Sequence, residues 1–588
     1  MSILDRVNSP ADVKACTAEE LQMLAKEIRE ALLNKVSQVG GHVGPNLGVT
    51  EMTIALHKVF NSPVDKLIWD VSHQTYPHKL LTGRKIGFTE GHFHDITPYS
   101  SQEESEHDFF TVGHTSTSVA NALGFAKARD LTGGNENIIA ILGDGSFSGG
   151  LALEALNNAG QFDGNLIIIL NDNQMSIAEN HGGLYTHLEQ LRESQGKLEN
   201  NVFKAFGLDY RYLEKGNDIN ELVRLFEEVK EIDHPILLHI HTIKGLGYAP
   251  AENDKEHWHW HVPFDLETGM SLSRPSSETY VDLLMDYMDH KMQEGQPILA
   301  INAGIPMAYN LKKFADRYPE NYWDAGIAEQ FTITFGGAAA LYGARSFIFH
   351  NSTFAQRALD QFIHDLAINE EPAIVFIKGD VINGSDKTHQ GDFARGWLSN
   401  IPNLIYLAPT SKEELLSILD WAISQHEHPV VINIPEHGVE SRQSVLTDFS
   451  HPAYQLMKAG ERVAVLGLGG MYRHAEKVVA SLATKGIDAT LVNPLFVSQL
   501  DTSFLSALTE NHELIVSFED GVLDGGFGQK VASFLGRCPV KVLNFGAEKE
   551  FNDEVPVSEL YDRYHLTVDL AVADILEALE QDNLSEIG

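Results

Sequence analysis

The sequence predicts an α/β protein made of three doubly wound α/β domains in series. Apolar runs of strand length alternate with helical patterns along nearly all of the 588 residues, as in parallel sheets covered by helices on both faces. A single core stops growing at roughly 250–300 residues, so three or four domains are expected. A Gly/Ser/Pro-rich stretch at 268–277 (TGMSLSRPSS) reads as a linker between two of them.

The first domain is expected over 1–270. It opens with a helical pattern, AEELQMLAKEIREALLNKVSQV. Two apolar runs follow, Ile138 to Leu142 and Leu166 to Leu170, ending in the polar tips Gly143-Asp144-Gly145 and Asn171-Asp172-Asn173. Leu151 to Ala159 reads as the helix between them. This β-α-β unit puts a carboxylate and an amide at C-terminal strand ends, where open α/β sheets bind ligands. A hard cation such as Mg2+ takes oxygen ligands and shares its shell with phosphates. Gly143 and Gly145 let backbone approach a diphosphate closely. A lone Gly-Asp-Gly is also ordinary turn chemistry; the second tip, with Asn173 29 positions after Asp144, favours the metal and diphosphate reading. A strand from Pro235 to Ile243, KGLGY, and the run His257-Trp258-His259-Trp260-His261 close the domain.

The second domain is expected over 278–440, where helical DLLMDYMDHKM precedes strand-like PILAINA, YGARSFIFHNS, AIVFIKG and PVVINIP. The third, over 455–588, runs strand ERVAVLGLGG, helix MYRHAEKVVASLATKG, strand DATLVNPL. Gly467-Leu468-Gly469-Gly470 resembles the opening of a nucleotide loop, but a tight strand-to-helix turn accounts for it better.

With 43% hydrophobic and 21% charged residues the composition is that of a soluble globular protein. The net charge of −39 argues against nucleic acid or an anionic membrane as partner. No apolar run approaches the roughly 18–20 residues of a membrane span, and no secretory signal is visible at the N-terminus. Two cysteines, Cys16 and Cys538, suggest neither a disulfide framework nor a zinc site, so a cytoplasmic location is expected.

Histidines stand in Gly-rich or strand-end contexts: His42, His73, His78, His114 and His389. One alone is more often a structural hydrogen-bonder than a catalyst. Several at the loop ends of α/β elements point to a shared polar pocket. In Asp324-Ala325-Gly326-Ile327-Ala328-Glu329-Gln330, the small apolar context suggests a partly buried Glu329 able to hold a proton near neutral pH; a helix N-terminal glutamate fits the same text. Arg357, in STFAQRALDQ, falls near a helix start, where an ordinary surface ion pair is the plain alternative.

These passages together resemble the 1-deoxy-D-xylulose-5-phosphate synthases, thiamine diphosphate enzymes of the transketolase superfamily. The resemblance covers essentially the whole chain and is densest in GGHVGPNLGVTE, LIWDVSHQTYPHKLLTGR, FTVGHTSTSVANALG, NDNQMSIAEN, KGLGYAPAEND, DAGIAEQ, STFAQRALDQ and THQG. It implies a transketolase-like fold and, by motif, the following roles. Asp144 and Asn173, with the Met175 carbonyl, hold Mg2+. His73, Gly113, His114, Thr115, Gly145, Ser146 and Tyr248 line the cofactor, and Glu329 hydrogen-bonds its aminopyrimidine ring. His42, His389 and one of His259 and His261 relay protons to substrate oxygens. The implied reaction joins pyruvate, with loss of CO2, to an aldehyde, expected to be glyceraldehyde 3-phosphate. A different, unphosphorylated acceptor and transketolase-type ketol transfer are the alternatives. The resemblance further implies a homodimer, a cofactor held by two domains of one chain, and service to isoprenoid or thiamine biosynthesis.

The chain departs from the family mainly where the aldehyde would bind. Lys378 stands where the family has a phosphate-holding arginine, and Ile434-Pro435-Glu436-His437-Gly438 replaces a Tyr-Pro-Arg-Gly motif. Lysine keeps a point charge but loses the bidentate fork, and glutamate repels phosphate. Arg357 and Lys378 remain as positive charges. An aspartate expected before THQG is Ser385 or Asp386, depending on a one-residue shift; Asn351 replaces an aromatic residue, and Gly44-Pro45-Asn46 a small-residue loop. A long family insertion after Glu179-Asn180 is reduced to a short passage containing LEQLRESQGKLENNVFKAFG.

Overall fold

The computed structural model describes residues 2–272, 277–443 and 446–585. Of the linker expected at 268–277, residues 273–276 lie outside the described residues. The chain forms two compact units, Met1–Pro275 with Gly326–Ala328, and Ser276–Ala325 with Glu329–Gly588. Among the described residues no helix is long and apolar enough to cross a membrane.

The strands of the first unit are β1 (Gly41–His42), β2 (Lys66–Trp69), β3 (Ile138–Gly143), β4 (Leu166–Asp172), β5 (Asp209–Leu213), β6 (Pro235–His241) and β7 (Trp260–His261). Five of them form a parallel sheet in the order β2-β3-β4-β6-β5; β1 and β7 pair antiparallel. Side chains alternate across a strand, and β3 and β4 are apolar on both faces. Ala140, Leu142, Ile168 and Leu170 enter one core with Val119 and Leu156. Ile139, Ile141, Ile167 and Ile169 enter the other with Leu56 and Phe226. Each such side chain, once buried, contributes about 1.5–3 kcal/mol, which leaves the polar tips as the parts of these strands free for chemistry. The helix Ala18–Val39 begins on a Thr17–Glu20 capping box and stops at Gly40, whose φ of 79° favours glycine.

The second unit holds two sheets. The first takes β8 (Ile298–Asn302), β9 (Tyr322–Asp324), β10 (Arg345–Asn351), β11 (Ile374–Lys378), β12 (Ile405–Leu407) and β13 (Val430–Asn433), all parallel, in the order β12-β13-β11-β10-β8-β9. The second takes β14 (Gln455–Lys458), β15 (Arg462–Gly467), β16 (Thr490–Asn493), β17 (His512–Val522) and β18 (Lys541–Ala547), in the order β14-β16-β15-β17-β18, with only β14 antiparallel. One core joins the two sheets, running from Ile348, Val375 and Val431 to Ala464, Leu466 and Val492. The fold class is therefore the predicted doubly wound α/β arrangement. Gly467 ends β15 in the predicted tight turn: a Cβ there would lie 2.7 Å from the Tyr472 Cα.

Candidate active site

In the first unit three strand-end loops converge through their own hydrogen bonds. At the tip of β3 the buried Asp144 carboxylate accepts the Gly145 N–H at 2.8 Å and the Asn173 N–H at 3.0 Å. Asn173 Oδ1 in turn accepts the Met175 N–H at 3.2 Å. Gly145 is required by close packing, because a Cβ there would come within 2.5 Å of the Ser176 Cβ; one at Gly143 would meet nothing within 4 Å. Burial, then the neighbouring Asp172 charge, push the Asp144 carboxyl well above the usual carboxylate range. Burial acts on Asp172 too, but His239 at 2.7 Å and Arg192 outweigh it and hold that carboxyl low.

The loop carrying Gly113, His114 and Thr115 is fixed by Asp70, which accepts the N–H groups of Ser116 at 2.8 Å and Ser118 at 2.9 Å. Ser116 Oγ donates to the Ser146 carbonyl at 2.9 Å, tying this loop to Gly145-Ser146. Non-glycine residues stand in left-handed backbone in the loop after β2, Val71 (φ 58°) and Ser72 (φ 69°) before His73, in the Gly113–Thr115 loop at Ser116 (φ 75°), and in the loop after β4 at Gln174 (φ 70°) between Asn173 and Met175. Such residues cost about 1–3 kcal/mol each and persist only where packing over-determines them, as at ligand sites.

The antiparallel pair β1–β7 places His42 opposite Trp260. It brings His42 within 5.0 Å of His73 and 5.5 Å of His259, centroid to centroid, and His73 lies over His259 at 5.2 Å. Of the HWHWH run, His259 is the ring beside His42 and His73; His261 stacks on Trp258 and pairs with His257. Burial, then the charge of Lys244, keep the His259 imidazole neutral. Lys244 Nζ donates to its Nδ1 at 3.1 Å and to the Ser176 carbonyl at 2.6 Å, and burial pushes this lysine down to about 7. Two candidates sit elsewhere. Tyr248 packs against Trp258 with its hydroxyl on the Leu266 carbonyl. His78 lies in a buried chain between His57 Nε2 (2.9 Å) and Asp108 Oδ1 (3.2 Å).

In the second unit Glu329 is the first residue of the helix Glu329–Leu341 and is buried. Burial raises its carboxyl against the opposing pull of Arg357, whose Nη1 lies 3.8 Å away. His389 stands edge-on to Phe354, from the same STFAQR segment as Arg357, at 5.7 Å. Its Nδ1 faces Asp386 at 3.4 Å, so the residue before THQG that meets this histidine is Asp386; Ser385 instead bonds the His389 carbonyl.

Comparison with known proteins places this geometry. A family model described as 1-deoxy-D-xylulose-5-phosphate synthase matches residues 4–198, the transketolase pyrimidine-binding domain matches 277–440, and the transketolase C-terminal domain matches 453–570. A curated 1-deoxy-D-xylulose-5-phosphate synthase of Clostridium acetobutylicum is 36% identical over 97% of this chain and 98% of its own length. The chain belongs to the 1-deoxy-D-xylulose-5-phosphate synthase family. A second relative, 1-deoxy-D-xylulose-5-phosphate synthase 1 of Geobacter sulfurreducens, is 35% identical over 97% of this chain and 96% of its own. A transketolase of solved structure from Campylobacter jejuni covers 95% of this chain and 99% of its own at 17% identity, with TM-score 0.45.

Lys378 and Glu436, expected from the sequence to mark the acceptor end of the site, occupy adjacent strand ends. Lys378 ends β11 opposite Asn351 of β10, its Nζ 3.4 Å from the Ala308 carbonyl. Glu436 follows β13, which pairs with β11, and is exposed. A Cβ at Gly379 would lie 4.0 Å from its Oε1. Sequence reasoning missed Lys244, Asp70, Tyr185 and Arg192. Asp70 carried a signal, as the lone acid at the end of an apolar strand, and Lys244 another, as the first residue of KGLGY.

Proposed function

We propose that the protein catalyses the thiamine diphosphate-dependent and Mg2+-dependent condensation of pyruvate with glyceraldehyde 3-phosphate, giving 1-deoxy-D-xylulose 5-phosphate and CO2. The buried Asp144 carboxylate carries this reading. It makes no ion pair among the described residues; the like charge of Asp172 disfavours its ionised form, and the one buried cation that feels it, Lys244, is itself pushed down by burial to about 7. A divalent cation supplies what it lacks. Asp144, Asn173 and the Met175 carbonyl offer the hard oxygen donors that Mg2+ takes, so the residues present fit the group. His73, Gly113, His114, Thr115, Gly145 and Ser146 would hold the cofactor, whose bound form supplies the carbon nucleophile and electron sink.

The protein's own part is positioning and proton handling. Lys244 Nζ lies 3.1 Å from His259 Nδ1 and fixes the ring's orientation. His42, grouped with His259 and His73, and His389, backed by Asp386, exchange protons with substrate oxygens. Glu329, raised by burial, holds a proton on its carboxyl against the cofactor ring. The test supplies purified protein with pyruvate, Mg2+, thiamine diphosphate and glyceraldehyde 3-phosphate. CO2 and 1-deoxy-D-xylulose 5-phosphate should appear in equal amounts. Ketol transfer from a sugar phosphate without pyruvate would replace this reading with the transketolase one.

Glu436 favours a second reading, an acceptor carrying less negative charge. Exposed beside Gly379, its carboxylate works against a phosphate dianion near Lys378. At ~1 kcal/mol per charge pair at 4 Å in water, Glu436→Arg should lower KM for glyceraldehyde 3-phosphate about tenfold and leave KM for unphosphorylated glyceraldehyde unchanged. CO2 release with glyceraldehyde but none above background with its 3-phosphate would establish the second reading.

The reading includes a dimer. In the helix Glu329–Leu341, Phe331 and Leu341 are exposed, and Tyr342, just beyond it, is 98% exposed. Apolar surface of this kind marks a subunit contact. Light scattering should give twice the 65.1 kDa chain mass, and Phe331→Asp with Leu341→Asp should halve it.

A further inference from the structure

The helix Gly183–Glu193 has no part in the roles assigned above, yet it reaches both loops that would hold the cation. Leu188 and Leu191 seat it in the same core as β3 and β4. From that seat Tyr185 Oη lies 3.2 Å from the Asp144 carbonyl and 3.4 Å from the Gly145 carbonyl. Seven residues on, and so on the same helix face, Arg192 Nη1 pairs with Asp172 Oδ2 at 2.5 Å. One rigid element thus grips the tip of β3 with one residue and the tip of β4 with another.

The Arg192 contact has a chemical consequence. Asp144 and Asp172 are buried carboxylates at the tips of adjacent parallel strands, joined where the Asp144 N–H meets the Asn171 carbonyl at 3.1 Å. Either could take a divalent cation. Asp172 is already occupied: Oδ2 receives Arg192 and His239 Nε2 (2.7 Å), and Oδ1 the Gln174 N–H (3.1 Å). Asp144 receives two backbone N–H groups, meets the Asp172 side chain, and has no cationic side chain bonded to it.

We propose that this helix is a strap that builds the cation site. Arg192 keeps Asp172 out of the cation's shell, and Tyr185 sets the path of the Asp144–Gly145 backbone, so that Asp144 and Asn173 are presented together. Both are positioning residues, and the proposal rests on the Mg2+–thiamine diphosphate reading above. Outer partners of metal ligands typically cost 10–100-fold in metal affinity when removed. Thiamine diphosphate is titrated calorimetrically into the full-length protein across a series of Mg2+ concentrations. Arg192→Gln should raise the half-saturating Mg2+ concentration at least about tenfold, Arg192→Lys less, and the near-isosteric Tyr185→Phe about fivefold. In the protein without cofactor, backbone amides of 171–176 should exchange faster in Arg192→Gln and Tyr185→Phe than in wild type. Should Arg192→Gln not fold, Tyr185→Phe carries the test. Variants that melt earlier but keep the wild-type Mg2+ dependence would overturn the strap, leaving the helix a merely structural element. A wild-type protein that takes up no thiamine diphosphate at any Mg2+ concentration would overturn the cofactor reading itself, and the strap with it.

Discussion

Glu329→Gln should lower kcat by about 10³-fold, within the range for loss of a general acid or base, and at the same time raise the melting temperature at neutral pH. The two effects share one cause. Glu329 is buried, and burial raises its carboxyl although Arg357 at 3.8 Å pulls the other way. A folded-state pKa above the unfolded value of 4.5 means that the native chain binds a proton that the unfolded chain has released. Stability from this group is then full at acid pH, falls as pH rises from the unfolded value to the raised one, and stays low above it. Glutamine cannot ionise and escapes that loss. It still fills the space and presents a donor, so thiamine diphosphate should bind within about tenfold of wild type, as one neutral hydrogen bond replaces another. Melting curves of the protein without cofactor, taken upward in pH from the unfolded value of 4.5, check the sign: the variant's advantage should grow with pH. A constant difference would mean that the carboxyl is not held protonated, and an unchanged kcat would remove Glu329 from the chemistry.

The sequence makes some of this legible and hides the rest for physical reasons. Strands such as Ile138–Gly143 can be read because a parallel strand covered on both faces is a continuous apolar run. Asp144, Asn173 and Glu329 can be read because each sits in a short motif whose neighbours are small or apolar. Sheet order, and the single core joining the two sheets of the second unit, depend on side chains far apart in sequence, such as Val431 and Ala464, and leave no local trace. The HWHWH run is ambiguous because its histidines repeat every second residue; the pairing of His42 with Trp260 decides which ring meets His73. Ser385 and Asp386 differ by one position in an irregular loop, where no periodicity fixes the register. Lys244, Tyr185 and Arg192 act on carbonyls or carboxylates 68, 41 and 20 residues away; Lys244 opens the KGLGY motif, but nothing local says what its amine meets, and no motif marks the other two.

Asp144→Asn should separate the two things this carboxylate does. Asparagine keeps an oxygen for the N–H groups of Gly145 and Asn173 and removes the charge. Without cofactor the wild type keeps a buried carboxylate that burial and Asp172 both disfavour when ionised, so Asp144→Asn should melt later than wild type at neutral pH. Asp144→Ala should melt earlier, because two backbone donors lose their acceptor at about 1–3 kcal/mol each. With Mg2+ and thiamine diphosphate the order reverses. At a hundred times the dissociation constant the wild type gains about 2.7 kcal/mol; both variants, lacking the anion that meets the cation, should gain almost nothing and lose at least about 10²-fold in cofactor affinity, since hard cations depend on ligand charge. Calorimetry and paired melting curves, with and without the two ligands, read all three chains. An Asp144→Asn protein that keeps the wild-type melting gain would show that the cation is held elsewhere. A hydrogen-bonding role alone predicts Asn like wild type and Ala unlike it under every condition, whereas a charge role predicts that Asn and Ala melt differently but alike lack the gain the ligands give the wild type.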